Sequence, residues 1–377
     1  MLFRNLKFFF LIFNSIFFGW IFFGCSKESN PAVPPAPDKD VITTVDRNSP
    51  IKIGLLSFTP QKNLFISASK GTFKCYKADM LDPFYTGISG DSVKFVGDED
   101  TIKYVPPGES DETGLATKEV RIEIGDLASD EFVTIGPSKK SLRPYRGKIR
   151  LILEGKNLLA VNETILEEYL QGVVPAEMDP TWPEEALKAQ AIASRTFALF
   201  QIGRYINRGF NLADDDRSQN YGGVSVETQA TTNSVIETVN KVVSFEDKLA
   251  CVVFHKESGG KTSSNLDVWP SSGEIPYLVG VNDKLGFVDF SEGGKFKEWS
   301  SLVSLEELKN ALNGSGETFV GDYFSSVSLL GLSENGRVQF MDLDGEKNPV
   351  VPAMVFIKAV NRKLGGDFIP SNKFTLH

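Results

Sequence analysis

Histidine is nearly missing from this chain: His255 and His377 are the two in 377 residues. That leaves little material for a metal site built on imidazole, and no two-His zinc motif is present. A positive balance of charge is also lacking, since 49 acidic residues outnumber 40 basic ones for a net charge of -9. A nucleic-acid partner needs a basic face, so that class is excluded, as is long-range steering towards an anionic polymer. Cysteine occurs three times, at Cys25, Cys75 and Cys251. What is present is ordinary globular composition, 41% hydrophobic and 24% charged, with enough length for two domains.

The first 25 residues differ from the rest. Arg4 and Lys7 form a short basic region, and Phe8 to Phe23 is almost wholly apolar. A bilayer-spanning helix needs about 20 apolar residues, and this run stops short at Gly24-Cys25-Ser26. That ending resembles a bacterial lipobox, with Phe22 where Leu is usual. Residues 1–25 are therefore expected to be an export signal with Cys25 as the lipidated residue; an uncleaved N-terminal anchor is the alternative. Both place the folded part in the cell envelope, tied to a membrane facing the periplasm or the cell exterior. With Cys25 lipidated, Cys75 and Cys251 are left as a pair that an oxidising compartment would allow to bond.

Residues 26–50 are rich in Pro, Asp and Ser, contain no aromatic residue, and read as an extended tether. Short β-type runs follow from Ile51 (IKIGLLSF, NLFISAS, DSVKFV, VRIEIG, EFVTIG), punctuated by Gly, Asp, Asn and Pro. Residues 51–144 are thus expected to form a β-rich N-terminal domain. Residues 145–377 open with two strands around a Glu154-Gly155-Lys156-Asn157 turn. A helix is expected after Pro180, started by a capping box at Thr181-Trp182-Pro183-Glu184 and running to about Tyr205. A helical pattern spans Val226 to Val239, strands are expected at KVVSF and ACVVFH, and the last block mixes two helices with two strands. The fold class is α+β.

Glu177 is the residue with the clearest chemical signal. In the stretch VVPAEMDP it is surrounded by Val173, Val174, Pro175, Ala176 and Met178, none of which hydrogen-bonds strongly through a side chain. Desolvation should disfavour its charged form and raise its pKa, and a carboxyl kept protonated near neutrality can donate to a leaving oxygen. The alternative is a carboxylate leading a helix, where it would complement the positive end of the dipole.

At this point the chain resembles the SpoIID/LytB family, which includes peptidoglycan lytic transglycosylases. YRGKIRLILEGKNLLAVN, EEYLQGVVPAEM, WPEEALKAQAIASRTFAL, SQNYGG, FHKESGGKT, VWPSS, PYLVGVND and IPSNKF follow the family's order from about residue 140. The resemblance implies that Glu177 is the catalytic acid, that the substrate is peptidoglycan glycan stripped of stem peptides, and that no cofactor is needed. LytB-type relatives imply a second reading: a non-catalytic envelope protein that binds glycan or modifies an amidase partner. Sporulation members hold zinc through Cys and His before their Gln-x-Tyr-x-Gly; DDDRSQNYGG stands here instead. Asp214, Asp215 and Asp216 read as a solvated acidic loop, and no zinc is expected.

Several further residues are candidates for substrate binding, each with a structural alternative. Gln190 and Arg195 lie on the expected helix, and the Arg195 fork suits a sugar carboxylate or a buried salt bridge. Gln219 and Tyr221 offer an amide and an aromatic platform, or turn residues packing a core. His255 precedes Ser258, Gly259 and Gly260, where glycines let backbone donors approach a ligand. No nucleophile elbow accompanies that Ser and His, which disfavours a serine hydrolase. Trp269 suits sugar stacking or simple packing.

Overall fold

The computed structural model describes residues 50–376, except 79, 125–130, 256, 257, 259, 270, 271, 286, 287, 290–298 and 367. The expected export signal with Cys25, nearly all of the tether, and Gly259 lie outside the described residues. Among the described residues no helix is long and apolar enough to cross a membrane. The chain divides into two compact units, one ending at Phe254 and the other beginning at His255.

The first unit is built on strands β1 (Pro50–Gly54), β2 (Asn63–Ala68), β3 (Thr72–Lys77), β4 (Tyr85–Ile88), β5 (Val93–Gly97), β6 (Ile102–Val105), β7 (Thr113–Gly114), β8 (Glu119–Ile124), β9 (Val133–Gly136), β10 (Arg143–Tyr145), β11 (Lys148–Glu154), β12 (Asn157–Ile165) and β13 (Leu212–Ala213). One sheet has the order β13-β1-β12-β11-β8-β3-β4, the other β10-β9-β2-β5-β6-β7. All pairings are antiparallel except β1 with β13. Period-two burial along β3 (Phe73, Cys75), β8 (Val120, Ile122) and β11 (Ile149, Leu151) turns one face of each strand into a core shared with Ile66, Phe95 and Ile135 of the second sheet.

Strands from both sides of residue 144 share the seven-stranded sheet: β1, β3, β4 and β8 precede it, and β11, β12 and β13 follow. The expected boundary at residue 144 therefore falls within one continuous sheet. The expected β11–β12 turn is present, with Glu154 opposite Asn157 and Gly155 at φ +62°. Cys75 is a free thiol buried within β3, so the Cys75–Cys251 pair considered from the sequence is not formed.

Three helices pack onto this β core: α1 (Leu166–Glu177), α2 (Glu184–Gln201) and α3 (Gln229–Glu237). Leu166, Tyr169, Leu170, Val173 and Val174 of α1 recur at helical spacing and are buried. The capping box expected for α2 does not form. The Thr181 hydroxyl and N–H both go to Asp179 Oδ1 (2.7 and 2.9 Å), and Pro183 occupies the N-cap position with no side-chain acceptor. α2 also ends earlier than expected, at Gln201. The strands expected over 241–255 shrink to a hairpin of Ser244–Phe245 with Lys248–Leu249; the Ala250 N–H still donates to the Val243 carbonyl at 3.0 Å, and Ala250, Cys251 and Val252 are buried.

In the second unit, the helix Leu305–Leu312 starts at a Ser304/Glu307 capping box. It shares a core with the antiparallel strands Phe324–Leu332, Val338–Gly345 and Val350–Pro352 and the helix Ala353–Leu364 through Leu308, Leu312, Met341, Leu343, Phe356 and Val360. The fold class is α+β, as the sequence indicates.

Candidate active site

Glu177 is the last residue of α1, not part of an irregular turn. The dipole alternative is thereby reversed: the C-terminal end of a helix carries partial negative charge, which opposes a carboxylate. The side chain keeps partial surface exposure, yet protein atoms crowd the carboxyl closely enough to remove most of its hydration. Burial raises its pKa to about 8, and hydrogen bonding from Asn220 opposes the rise without cancelling it. The Asn220 backbone N–H donates to Glu177 Oε1 at 2.6 Å. The result is a carboxyl that holds its proton at neutral pH beside Asn220, whose backbone and side chain both favour the carboxylate.

The loop from Asp214 to Gly222 delivers that donor, and it lies along one face of α1. Tyr169 stands two turns before Glu177, and its hydroxyl donates to Gln219 Oε1 at 3.4 Å. Consecutive residues Gln219 and Asn220 thus dock on residues eight apart in the helix. Further along, the Gly222 N–H donates to the Gly172 carbonyl at 3.0 Å. This approach requires Gly172, because a Cβ there would lie 2.6 Å from the Tyr221 ring. Gly223 has φ +62°, and a Cβ there would meet the Pro144 carbonyl oxygen at 2.6 Å.

Tyr221 is in the core. Its ring lies 5.0 Å from that of Tyr169 and 5.7 Å from that of Tyr145, and its hydroxyl donates to Asn162 Oδ1 at 2.9 Å. With the side chain buried it presents no open platform for a sugar. Gln219 is fully buried too, and its Nε2 has no hydrogen-bond partner among the described residues.

Arg195 takes the salt-bridge alternative. It is 1% exposed and pairs with Glu167 of α1 through Nε and Nη2, at 2.8 and 2.7 Å. Its remaining donors reach the carbonyls of Ala191, Val235 and Lys241 and the Thr238 hydroxyl. It ties α1, α2 and α3 together and leaves no face for a ligand. Gln190, also buried, donates to Ser194 on its own helix at 3.1 Å.

The acidic loop is not uniformly solvated. Asp214 is 3% exposed and accepts from the Ser57 N–H (2.8 Å) and the Ser57 hydroxyl (2.5 Å). Burial raises its pKa to about 6, and the bonds from Ser57 pull the other way. Asp215 pairs with Arg217, and Asp216 is exposed. Among the described residues no group of three or more His, Cys, Asp or Glu is placed to hold a metal.

The second unit holds His255, Ser258, Gly260 and Trp269. Ser258 is buried; its hydroxyl donates to Asp283 Oδ2 at 2.5 Å and accepts from the Gly260 N–H at 3.0 Å. That hydroxyl is engaged with a carboxylate and not with an imidazole, unlike a nucleophile–base pair. Trp269 follows the short helix Asn265–Val268, whose Ser264 cap forms a capping box with Asp267.

Residues 154–245, which contain Glu177, α1 to α3 and the docking loop, match the family model described as Stage II sporulation protein, SpoIID. The chain carries a SpoIID-family domain. Over 274 residues it is 30% identical to the amidase enhancer of Bacillus subtilis, covering 65% of this chain and 36% of that protein. It is 31% identical over 229 residues to Stage II sporulation protein D of Bacillus subtilis, covering 56% and 60%. A protein of Brachyspira hyodysenteriae is 32% identical over 169 residues, covering 45% and 44%. The chain thus spans between about a third and three fifths of the length of these relatives. Sequence reasoning found Glu177 within the SpoIID domain but missed Asn220 and the Ser57–Asp214 pair. A main-chain donor carries no residue signature, and three consecutive Asp residues look solvated by composition.

Proposed function

We propose that the SpoIID domain is a peptidoglycan lytic transglycosylase that uses Glu177 as acid and then as base. The observation that carries this reading is the buried carboxyl with its pKa raised to about 8 beside the Asn220 N–H. Glycoside hydrolysis usually uses two carboxylates, one as acid and one as the base that activates water or as the nucleophile. Here the 6-hydroxyl of an N-acetylmuramic acid residue replaces water. Glu177 donates its proton to the bridging oxygen as the bond from the anomeric carbon to that oxygen breaks. The 6-hydroxyl oxygen bonds to the anomeric carbon, and its proton passes to the Glu177 carboxylate. The products are an N-acetylglucosamine end and a 1,6-anhydro-N-acetylmuramic acid end, with Glu177 again protonated. Attack from within the same sugar gains from effective molarity, and one carboxyl suffices. Asp214, the other carboxyl raised by burial, is committed to Ser57.

The substrate on this reading is glycan stripped of stem peptides, and the protein is held in the envelope by lipid on Cys25. Replacing Cys25 with Ser should release it from the membrane fraction. For catalysis, the test is digestion of purified glycan strands by the parent protein and by Glu177→Gln, with mass spectrometry of the ends. Anhydro ends from the parent alone support the reading.

The name of the amidase-enhancer relative favours a second reading, in which the same domain binds glycan and raises the activity of a partner amidase without cleaving anything. Glu177→Gln would then retain glycan binding and amidase stimulation, and no anhydro ends would form with either protein.

A further inference from the structure

We infer that Asp214 is a positioning residue for Glu177: clamped to Ser57 through its carboxylate and to Tyr221 through its carbonyl, it aims the Asn220 N–H at the Glu177 carboxyl. The consequence for rate rests on Glu177 being the acid catalyst; the geometry does not.

Asp214 touches the loop at both of its critical points. Its N–H donates to the Gly54 carbonyl at 3.1 Å, continuing the pairing of β13 with β1. Its carbonyl accepts the Tyr221 N–H at 3.0 Å, one residue beyond Asn220. The carboxylate takes both donors of Ser57, which fixes its plane as well as its position. The loop is therefore closed at its base by one residue, and Asn220 stands beside the closure.

Stability alone does not account for a carboxylate here. Asp214 is nearly fully buried, and no cation pairs with it among the described residues. Arg217 is engaged with Asp215, and Arg143 reaches the Ser57 hydroxyl at 3.5 Å, not the carboxylate. The neighbouring Asp215 carboxylate opposes the charge of Asp214, the Arg217 guanidinium favours it from a distance, and Tyr145 of β10 and Tyr169 of α1, which also face it, hold their protons. A buried, unpaired carboxylate costs free energy that a neutral side chain avoids. What it provides in return is two directional, charge-assisted acceptors on one rigid group.

Positioning and simple electrostatics predict opposite signs for one variant. Removing the charge of Asp214 lowers the pKa of a nearby carboxyl, because a like charge has gone. Releasing the loop withdraws the Asn220 donor, which stabilises the charged form, and raises it. The Glu177 titration can be read directly by 13C NMR of the full chain labelled at side-chain carboxyls, its resonance assigned by loss in Glu177→Gln. In Asp214→Ala we expect the midpoint to rise by about one pH unit, as the loss of a charge-assisted bond implies. Asp214→Asn, whose amide can accept from the Ser57 N–H and donate to its hydroxyl, should return the midpoint to the parent value or just below.

Ser57→Ala, at an exposed residue, should keep the fold and raise the midpoint by a smaller amount; it decides the matter if Asp214→Ala does not fold. An unchanged or lowered midpoint in Asp214→Ala, or in Ser57→Ala where that variant decides, overturns the inference. A raised midpoint together with a fully active Glu177→Gln upholds the positioning and removes the catalytic reading. Loss of activity in Glu177→Gln with no midpoint shift does the reverse.

Discussion

The backbone N–H of Asn220 meets Glu177 Oε1 at 2.6 Å, at the C-terminal end of a helix whose dipole opposes the charge that the bond would stabilise. The two influences suit a group that must hold a proton and then release it. Burial and the helix end favour the acid, while the hydrogen bonding from Asn220 makes the carboxylate attainable.

The same balance has a cost in stability with a definite sign. Glu177 titrates near 8 in the folded protein against an ordinary value of 4.5, so folding favours its protonated form. Its contribution is intact below about pH 4.5 and is lost as pH rises towards 8. Glu177→Gln should match the parent at pH 4. At pH 8 it should be more stable by about 2 kcal/mol after discounting for partial exposure, or roughly 4–8 °C in Tm for a unit of this size. Thermal unfolding at the two pH values reads this directly; a gain at pH 4 that vanishes at pH 8 would contradict it.

Arg195 should matter for folding before it matters for chemistry. Arg195→Met removes the partner of Glu167 and leaves several carbonyls without their donor, so we expect a loss of about 3–5 kcal/mol. Arg195→Lys should recover little, because one ammonium cannot reproduce the two-pronged bond. Urea unfolding measures both. At a temperature where either variant is folded, its activity per folded molecule should remain within a few-fold of the parent.

Gly172→Ala tests the closeness of the loop to α1. The added methyl would meet the Tyr221 ring at 2.6 Å and the Gly223 carbonyl at 3.0 Å, and neither belongs to a flexible chain end. A loss of about 1–3 kcal/mol is expected from overpacking, together with a larger fall in kcat than the stability change explains, since Asn220 is carried on the displaced segment. Full activity in a folded Gly172→Ala would mean that the loop is not held in register by this contact.

Much of the framework is legible in the sequence because it rests on local patterns. Alternation marks β2, β8 and β9, the Gly155-Lys156 turn marks the β11–β12 hairpin, and Ser304 with Glu307 marks the start of a helix. α1 is hidden because β12 runs straight into it at Leu166 with no capping residue, and because Val173, Val174 and Pro175 read as extended chain. The capping box at Thr181 is lost to a nearer competitor, Asp179, which takes the hydroxyl into a local turn. Glu177 stands out in the sequence by the apolar character of its neighbours, whereas its donor and the Asp214 clamp arise from pairing over 43 and 157 residues of chain. Such contacts leave no local pattern.

The most direct test is the product of the reaction. Glycan strands incubated with the parent protein near pH 6 should yield 1,6-anhydro-N-acetylmuramic acid ends. The yield should fall as pH rises above about 8, where Glu177 loses its proton, and Glu177→Gln should lower the rate by at least about a hundredfold. Anhydro ends appearing at the parent rate in Glu177→Gln would contradict the assignment of Glu177 as the acid.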